Sequence, residues 1–274
     1  MLIGNRNFET DKGCFIMGIL NVTPDSFSDG GKYNEIDKAL FRTEQMMKEG
    51  MDILDIGGES TRPGYTPVSD EEEISRTAPV ISAVKERFDV PVSLDTYKHT
   101  VAEAGIEAGA DLINDIWGLR WDSGEMAELI AKTGVACCLM HNRHDTDYHN
   151  FFQDMISDMQ KTVDIALTAG IDENRIILDP GVGFAKSYEQ NLEAIRRLNE
   201  FKRKLGFPVL LGTSRKSVIG LTLDLPSDER VEGTIATSVM GVMKGAAFLR
   251  VHDIAANSRA VRMTQAIMEG VKIG

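Results

Sequence analysis

Residues 90–115 read VPVSLDTYKHTVAEAGIEAGADLIND, and the fold turns on them. Val92–Leu94 is an apolar run too short for a helix. It ends on the polar tip Asp95-Thr96, a helix beginning near Lys98 follows, and a second short apolar run, Leu112–Ile113, ends on another polar tip, Asn114-Asp115. Strand, loop, helix and strand thus occupy one short stretch. The strands are apolar on both faces, as in a parallel sheet covered on both sides.

The same unit recurs along the chain. Further strand candidates are Phe15–Leu20, Ile53–Ile56, Val135–Met140, Ile176–Leu178, Val209–Leu211 and Ala246–Val251. Between them apolar residues return at three- and four-residue steps, as in Ile36, Leu40 and Met47, in Ile74, Ala78, Ile81 and Phe88, and in Leu192, Ile195 and Leu198. Eight units at roughly 34 residues each match a closed (β/α)8 TIM barrel, whose usual length is about 250 residues, better than an open doubly wound sheet. The expected architecture is α/β, one domain over residues 1–274, with residues 1–13 as a short N-terminal cap at the barrel's bottom. Ser69 before Glu72 and Ser187 before Gln190 have capping-box spacing, and the acidic run Asp70–Glu73 complements a helix's first turn. Pro79 lies within a helical pattern and predicts a kink or break.

Composition narrows the function. The 274 residues carry 30 basic and 42 acidic side chains, a formal net charge of −12. Partners that reward a basic face, such as nucleic-acid backbone or an anionic membrane, are disfavoured, so a bound anion needs a local pocket. The three cysteines, Cys14, Cys137 and Cys138, sit in apolar stretches without disulfide or zinc spacing, and no run approaches the roughly 18 apolar residues of a membrane span. A cytoplasmic protein is expected. His141 and His144 follow a strand and lack an acidic third ligand, so zinc is not expected there. The 13 methionines read mainly as core filler.

In a barrel, the residues that terminate the strands converge on one mouth. Here the tips are Asn21–Phe27, Gly57–Gly64, Asp95-Thr96, Asn114-Asp115, His141–Arg143, Asp179–Gly181, Thr213–Ser217 and Arg250–Asp253, each with polar residues. Singly, each has a bland reading: Asp95 or Asp253 as a helix cap, Asn114 as a turn former, Lys216 as a solvated lysine. Together they form two chemical groups. Asp95, Asn114, Asp179 and Lys216 complement the edge of a flat heterocycle with ring N–H, amino and carbonyl groups, such as a pterin. Asn21, Thr61, Arg62, Arg250 and His252 offer donors and cations, with Arg250 and His252 just ahead of the last helix, where barrels often hold phosphate. The first two loops exceed the commonest connection lengths and carry Gly30, Gly31, Pro63 and Gly64, which marks them as lids expected to order on substrate binding.

NVTPDSFSDGG at 21–31, DIGGESTRPG at 55–64, LDTYK at 94–98, LDPGVGF at 178–184, GTSRKS at 212–217 and RVHD at 250–253 resemble the signatures of the dihydropteroate synthase family, from end to end of the chain. The resemblance implies condensation of 6-hydroxymethyl-7,8-dihydropterin diphosphate with p-aminobenzoate, giving dihydropteroate and pyrophosphate in folate synthesis. It implies pterin contacts for Asp95, Asn114, Asp179 and Lys216, and magnesium coordination for Asn21. Arg250 and His252 fall on the diphosphate, and Thr61, Arg62, Pro63 and Ser217 around p-aminobenzoate, with Phe184 as an aromatic wall. Asp95, Lys216 and Arg250 are the expected catalytic residues. The family also implies a homodimer formed through the last two helices, near Ile235–Met243 and Arg259–Met268, whose apolar faces look broad for a barrel flank. A pterin-binding methyl-transfer module and a non-catalytic pterin carrier share the ring-reading residues; the SRKS and RVHD tips favour the synthase.

Overall fold

The computed structural model describes residues 1–23, 32–59 and 67–270. The chain opens with β1 (Leu2–Ile3) and β2 (Arg6–Asn7), which pair antiparallel. The alternating units follow as β3 (Phe15–Asn21), α1 (Lys32–Glu49), β4 (Ile53–Gly57), α2 (Asp70–Arg87), β5 (Val92–Asp95), α3 (His99–Glu107), β6 (Leu112–Asp115) and α4 (Glu125–Thr133). The second half continues with β7 (Ala136–Met140), α5 (Phe151–Thr168), β8 (Ile176–Asp179), α6 (Tyr188–Arg196), α7 (Leu198–Leu205), β9 (Leu210–Leu211), α8 (Ser217–Leu223), α9 (Val231–Met243), β10 (Phe248–Val251) and α10 (Ile254–Glu269). Every strand from β3 to β8 pairs in parallel with its neighbour in sequence, β9 pairs with β10, and β10 pairs with β3. The seam between β8 and β9 is joined by a parallel bridge, Leu178 to Val209, and by the Leu178 N–H donating to the Pro208 carbonyl at 2.9 Å. The result is the expected (β/α)8 barrel.

Period-two alternation puts a layered column of side chains inside this barrel. At the bottom, Met17, Ile53, Leu112, Ile177, Leu210 and Phe248 form a buried cluster with Ile3 and Phe8 of the N-terminal segment. Phe8 meets Phe15 edge-on at 4.9 Å, so residues 1–13 plug the bottom as expected. Two residues further along, the inward position turns polar on four of the strands: Ile53 gives way to Asp55, Leu112 to Asn114, Ile177 to Asp179 and Phe248 to Arg250. Outward-facing residues such as Leu54, Ile56, Leu94, Ile113, Cys137 and Leu178 pack under the helices. Adjacent Cys137 and Cys138 therefore belong to different clusters, one outside and one inside.

Several local expectations are refined. The strands reach through their polar tips, ending at Asn21, Gly57, Asp95, Asp115 and Asp179, so these groups are held by sheet backbone rather than by loops. The predicted break at Pro79 is absent, and α2 runs continuously from Asp70 to Arg87. Pro79 is exposed while Thr77, Val80 and Ile81 face the core, so water can solvate the carbonyl that loses its donor and the ring meets no packed neighbour. Ser187 and Gln190 form a complete capping box, whereas at α2 only the Ser69 half forms, because Glu72 turns to Arg76. The apolar series Leu192–Ile195–Leu198 is divided at Arg197 into α6 and α7.

Candidate active site

The mouth of the barrel gathers the polar ends of β3, β4, β5, β6, β8 and β10. Its centre is Arg250, which projects inward from β10 and donates through Nε to Asp55 Oδ2 at 2.7 Å and through Nη2 to Asp95 Oδ2 at 2.5 Å. Asp55 accepts on its other oxygen from the Ser93 hydroxyl at 2.6 Å and is fully buried. Asp95 is also buried, but its Oδ1 has no hydrogen-bond partner among the described residues. A buried carboxylate oxygen without a donor is costly, and such an orphan marks a place where a ligand donor belongs. Burial pushes the Asp95 carboxyl up to about 7 against the pull of Arg250, with Asp55 and Glu73 adding to the rise. Burial also opposes the charge of Arg250, but Asp55 and Asp95 outweigh it and hold the guanidinium above its ordinary range.

A second group lies across the same opening. Asp179 is buried and accepts from the Gly181 N–H at 2.7 Å. Its pKa is raised, burial exceeding the stabilisation that Lys216 supplies. Lys216 donates to the Val182 carbonyl and places Nζ 4.7 Å from the centre of the Phe184 ring; burial lowers its pKa to about 8 despite Asp179. A methyl group built on Gly212 would lie 3.7 Å from Asp179 Oδ2 and 3.8 Å from both Lys216 Nζ and the Arg250 Cβ. One built on Gly57 would lie 3.7 Å from Asp95 Oδ2 and 3.8 Å from Asn21 Oδ1. These two glycines keep open the spaces into which the functional side chains converge. Asn114 is buried on β6 in register with Asp95, and Tyr97, Ile116 and Met140 form an apolar cluster with Trp117 and Phe184. A flat ring thus finds carboxylates, an amide and an ammonium for its edges and apolar side chains for its faces.

On the rim beyond Arg250, Ser214 Oγ lies 3.0 Å from His252 Nδ1 and accepts from the His252 backbone N–H at 3.2 Å. Asp253 occupies the cap position of α10, but its side chain does not cap. Its carboxylate instead takes Arg215 in a two-point pair at 2.7 and 3.1 Å, which disposes of the capping reading. Asp95 is likewise a strand terminus and no cap, because Lys98 stands at the cap position of α3. Ser217 opens α8 and is exposed. Thr61, Arg62 and Pro63, with the lid glycines Gly30, Gly31 and Gly64, lie outside the described residues. The stem of the second loop is described and is strongly tied: Lys98 donates to Glu59, Glu73 and the Val68 carbonyl at 2.7–2.8 Å, and Tyr97 donates to Glu59 at 2.9 Å.

Asp95, Asn114, Asp179, Lys216 and Arg250, expected at one mouth, meet there. The sequence sorts Arg250 with the anion-receiving group, whereas in the structure Arg250 also joins Asp55 to Asp95, so the two groups share it. Asp55 escaped attention, although a carboxylate two residues before the tip of an otherwise apolar strand is an inward-facing charge by alternation. Lys98, Glu59 and Lys186 were also missed. Their side-chain partners are distant in sequence, and spacing carries no signal for them. Gly181 adopts φ +68°, and a Cβ there would fall 1.9 Å from the His141 carbonyl oxygen. Gly181→Ala should therefore lower unfolding free energy in urea titrations by about 2 kcal/mol or more, the left-handed backbone alone costing about 1–2 kcal/mol.

A parallel barrel whose mouth gathers ring-reading carboxylates, an amide and a lysine beside a cationic rim defines an enzyme for a flat polar heterocycle. The model of the pterin binding enzyme family matches residues 17–252. A dihydropteroate synthase of Clostridium beijerinckii is 58% identical over 269 residues, covering 98% of this chain and 99% of the relative. The crystal structure of the Clostridium difficile dihydropteroate synthase in the presence of pteroic acid superposes with a TM-score of 0.92 at 48% identity, covering 95% of this chain and 99% of that one. A Xanthomonas albilineans dihydropteroate synthase with 4-aminobenzoic acid gives a TM-score of 0.89 at 41% identity over 94% of each chain. The chain belongs to the pterin binding enzyme family, and within it to the dihydropteroate synthases.

Proposed function

We propose that this protein condenses 6-hydroxymethyl-7,8-dihydropterin diphosphate with p-aminobenzoate, releasing pyrophosphate and forming 7,8-dihydropteroate for folate synthesis. The observation that carries this reading is the unpartnered, buried Asp95 Oδ1 beside Arg250, in the mouth that also holds Asp179 and Lys216. Asp179, Asn114 and Lys216 hold the pterin edge, and Phe184 walls the neighbouring p-aminobenzoate pocket. Loss of pyrophosphate leaves positive charge on the pterin methylene and collects negative charge on the diphosphate, and a site already polarised in both senses lowers that barrier. Asp95 faces the developing cation. Arg250, whose Nη1 bonds to no described residue, and His252 face the anion, and the amides opening α10 directly after His252 add the positive end of a helix dipole. The arylamine, positioned by Ser217 with Thr61, Arg62 and Pro63, attacks the exposed methylene, and no protein nucleophile is required.

Magnesium fits this site in one manner. The described residues contain no group of three His, Cys, Asp or Glu that could cage an ion, but Asn21 Oδ1 borders the space kept open by Gly57. A Mg2+ ion bound mainly by diphosphate oxygens and water accepts one such amide oxygen. When bound it would neutralise charge on the leaving group. Purified protein given the pterin diphosphate and p-aminobenzoate should release pyrophosphate stoichiometrically with dihydropteroate. Methyl transfer from a folate, or pterin binding with no turnover, would replace this reading by one of its rivals.

We further propose a homodimer through α9 and α10, which pack on each other and leave Met240, Met243, Met263, Ile267 and Met268 exposed by 45–68%. Exposed apolar faces of this kind mark interfaces. Sedimentation equilibrium should report twice the chain mass. Ile267→Glu should weaken self-association by roughly thirtyfold or more, the size of an interface hot spot. A cytoplasmic setting fits the three buried, unpaired thiols, and among the described residues no helix is long and apolar enough to cross a membrane.

A further inference from the structure

Beside the ring-reading wall lies a second half-buried lysine to which the reaction assigns no part. Lys186 Nζ has three close acceptors, His141 Nδ1 at 2.9 Å, the Gly181 carbonyl at 2.9 Å and the Phe184 carbonyl at 3.0 Å, and a longer fourth, the His141 carbonyl at 3.5 Å. An ammonium has three N–H donors, one for each close acceptor. For His141 to accept at Nδ1 it must be neutral with its proton on Nε2, which faces Asp158 Oδ2 at 3.4 Å. Burial and then Lys186 itself push the imidazole down to about 3, which keeps it in that form. Asp158 is in turn held by Arg143 Nε at 2.6 Å. The chain Lys186–His141–Asp158 thus runs from the β8–α6 turn through the β7 tip to α5, and Arg143 of the β7–α5 connection closes it.

The turn that Lys186 grips is the one that carries the pterin-facing groups. Gly181, whose carbonyl it binds, donates its own N–H to Asp179. Phe184, whose carbonyl it also binds, lies against Lys216, and the intervening Val182 carbonyl accepts from Lys216. Asp179 and Lys216 therefore meet on one side of residues 179–184, and Lys186 ties down the same backbone from the other. Gly181 lets the turn pass close enough to β7 for this to happen, since any Cβ there would strike the His141 carbonyl.

We propose that Lys186 is a positioning residue for the pterin half of the site, fixing through the Gly181 and Phe184 carbonyls the mutual placement of Asp179 and Lys216. This rests on the pterin reading above. It sets Lys186 apart from an ordinary structural lysine, because its loss should fall on the pterin more than on p-aminobenzoate.

The test compares wild type with Lys186→Met and with His141→Phe, the latter removing one acceptor but neither backbone tie. Two readouts are taken: steady-state KM for each substrate by pyrophosphate release, and calorimetric binding of a pterin monomer without diphosphate. Lys186→Met should raise both the pterin KM and the pterin-monomer Kd at least tenfold while the p-aminobenzoate KM, measured at saturating pterin diphosphate, moves less than threefold. His141→Phe should give the same pattern at about threefold. If Lys186→Met does not fold, the His141→Phe pattern decides alone. Unchanged pterin binding in a folded Lys186→Met protein, or equal losses for both substrates, overturns the positioning role and leaves the enzymatic reading standing. Failure of the wild-type protein to bind the pterin monomer overturns both.

Discussion

Asparagine at position 95 should lower kcat by about 10²–10³ while leaving the fold intact, the loss typical when one preorganised group facing developing charge is removed. The side chains have nearly equal volume, and the asparagine carbonyl can still accept from Arg250, so the barrel keeps its packing. What disappears is the negative charge beside Oδ1, the buried oxygen for which no described residue supplies a donor. The wild-type protein should carry a pH signature of the same group. Burial raises the carboxyl to about 7, so on lowering the pH through that value Asp95 gains a proton, becomes neutral and stops favouring a cationic pterin. The value of kcat/KM for the pterin substrate, which reports the free enzyme, should fall on the acid side of about pH 7. In Asp95→Asn this acid limb should vanish. Near-normal turnover in the variant, or a limb that persists without the carboxyl, would remove Asp95 from the chemistry.

The parts of this architecture that sequence made legible are those governed by local rules. A strand announces itself by an apolar run, its helix by three- and four-residue recurrence, and its tip by the first polar residue after the run, so Asp95, Asn114 and Asp179 could be assigned to one mouth without coordinates. Pairing between tips follows no local rule. Nothing near Arg250 in sequence indicates Asp55, 195 positions away, and nothing near Lys186 indicates His141, 45 positions away. Such pairs arise because the barrel closes and brings non-adjacent strands to a common axis. Pro79, where α2 runs on without the break that was one of the two expected outcomes, shows the complementary limit: the rule for proline in a helix is local, but its cost depends on whether the affected carbonyl faces core or water, which only tertiary packing decides. Capping is similarly ambiguous. Asp253 stands where a cap should, yet a nearby guanidinium competes for its carboxylate and wins.

Arg250→Met should destabilise the protein by about 3–5 kcal/mol, the usual result of deleting one partner from a buried ionic cluster. The guanidinium is the charged partner that Asp55 and Asp95 share, and Asp55 is completely buried with Ser93 as its remaining side-chain donor. Methionine fills much of the space but leaves two carboxyl groups facing each other in the barrel interior. At about 2–4 °C per kcal/mol for a chain of this size, the melting temperature should drop on the order of 10 °C. Arg250→Lys should be intermediate, because an ammonium keeps the charge but lacks the planar fork that reaches both carboxylates at once. The decisive comparison adds Asp55→Asn to Arg250→Met. If the ionic cluster is the source of the loss, the double variant should be more stable than Arg250→Met alone, since the second change removes one of the stranded charges. If the two losses simply add, arginine contributes by packing and not by bridging. A loss below about 1 kcal/mol in the single variant would mean that water already solvates both carboxylates, and Asp95 would then lack the low-dielectric setting from which its raised pKa and its charge stabilisation both derive.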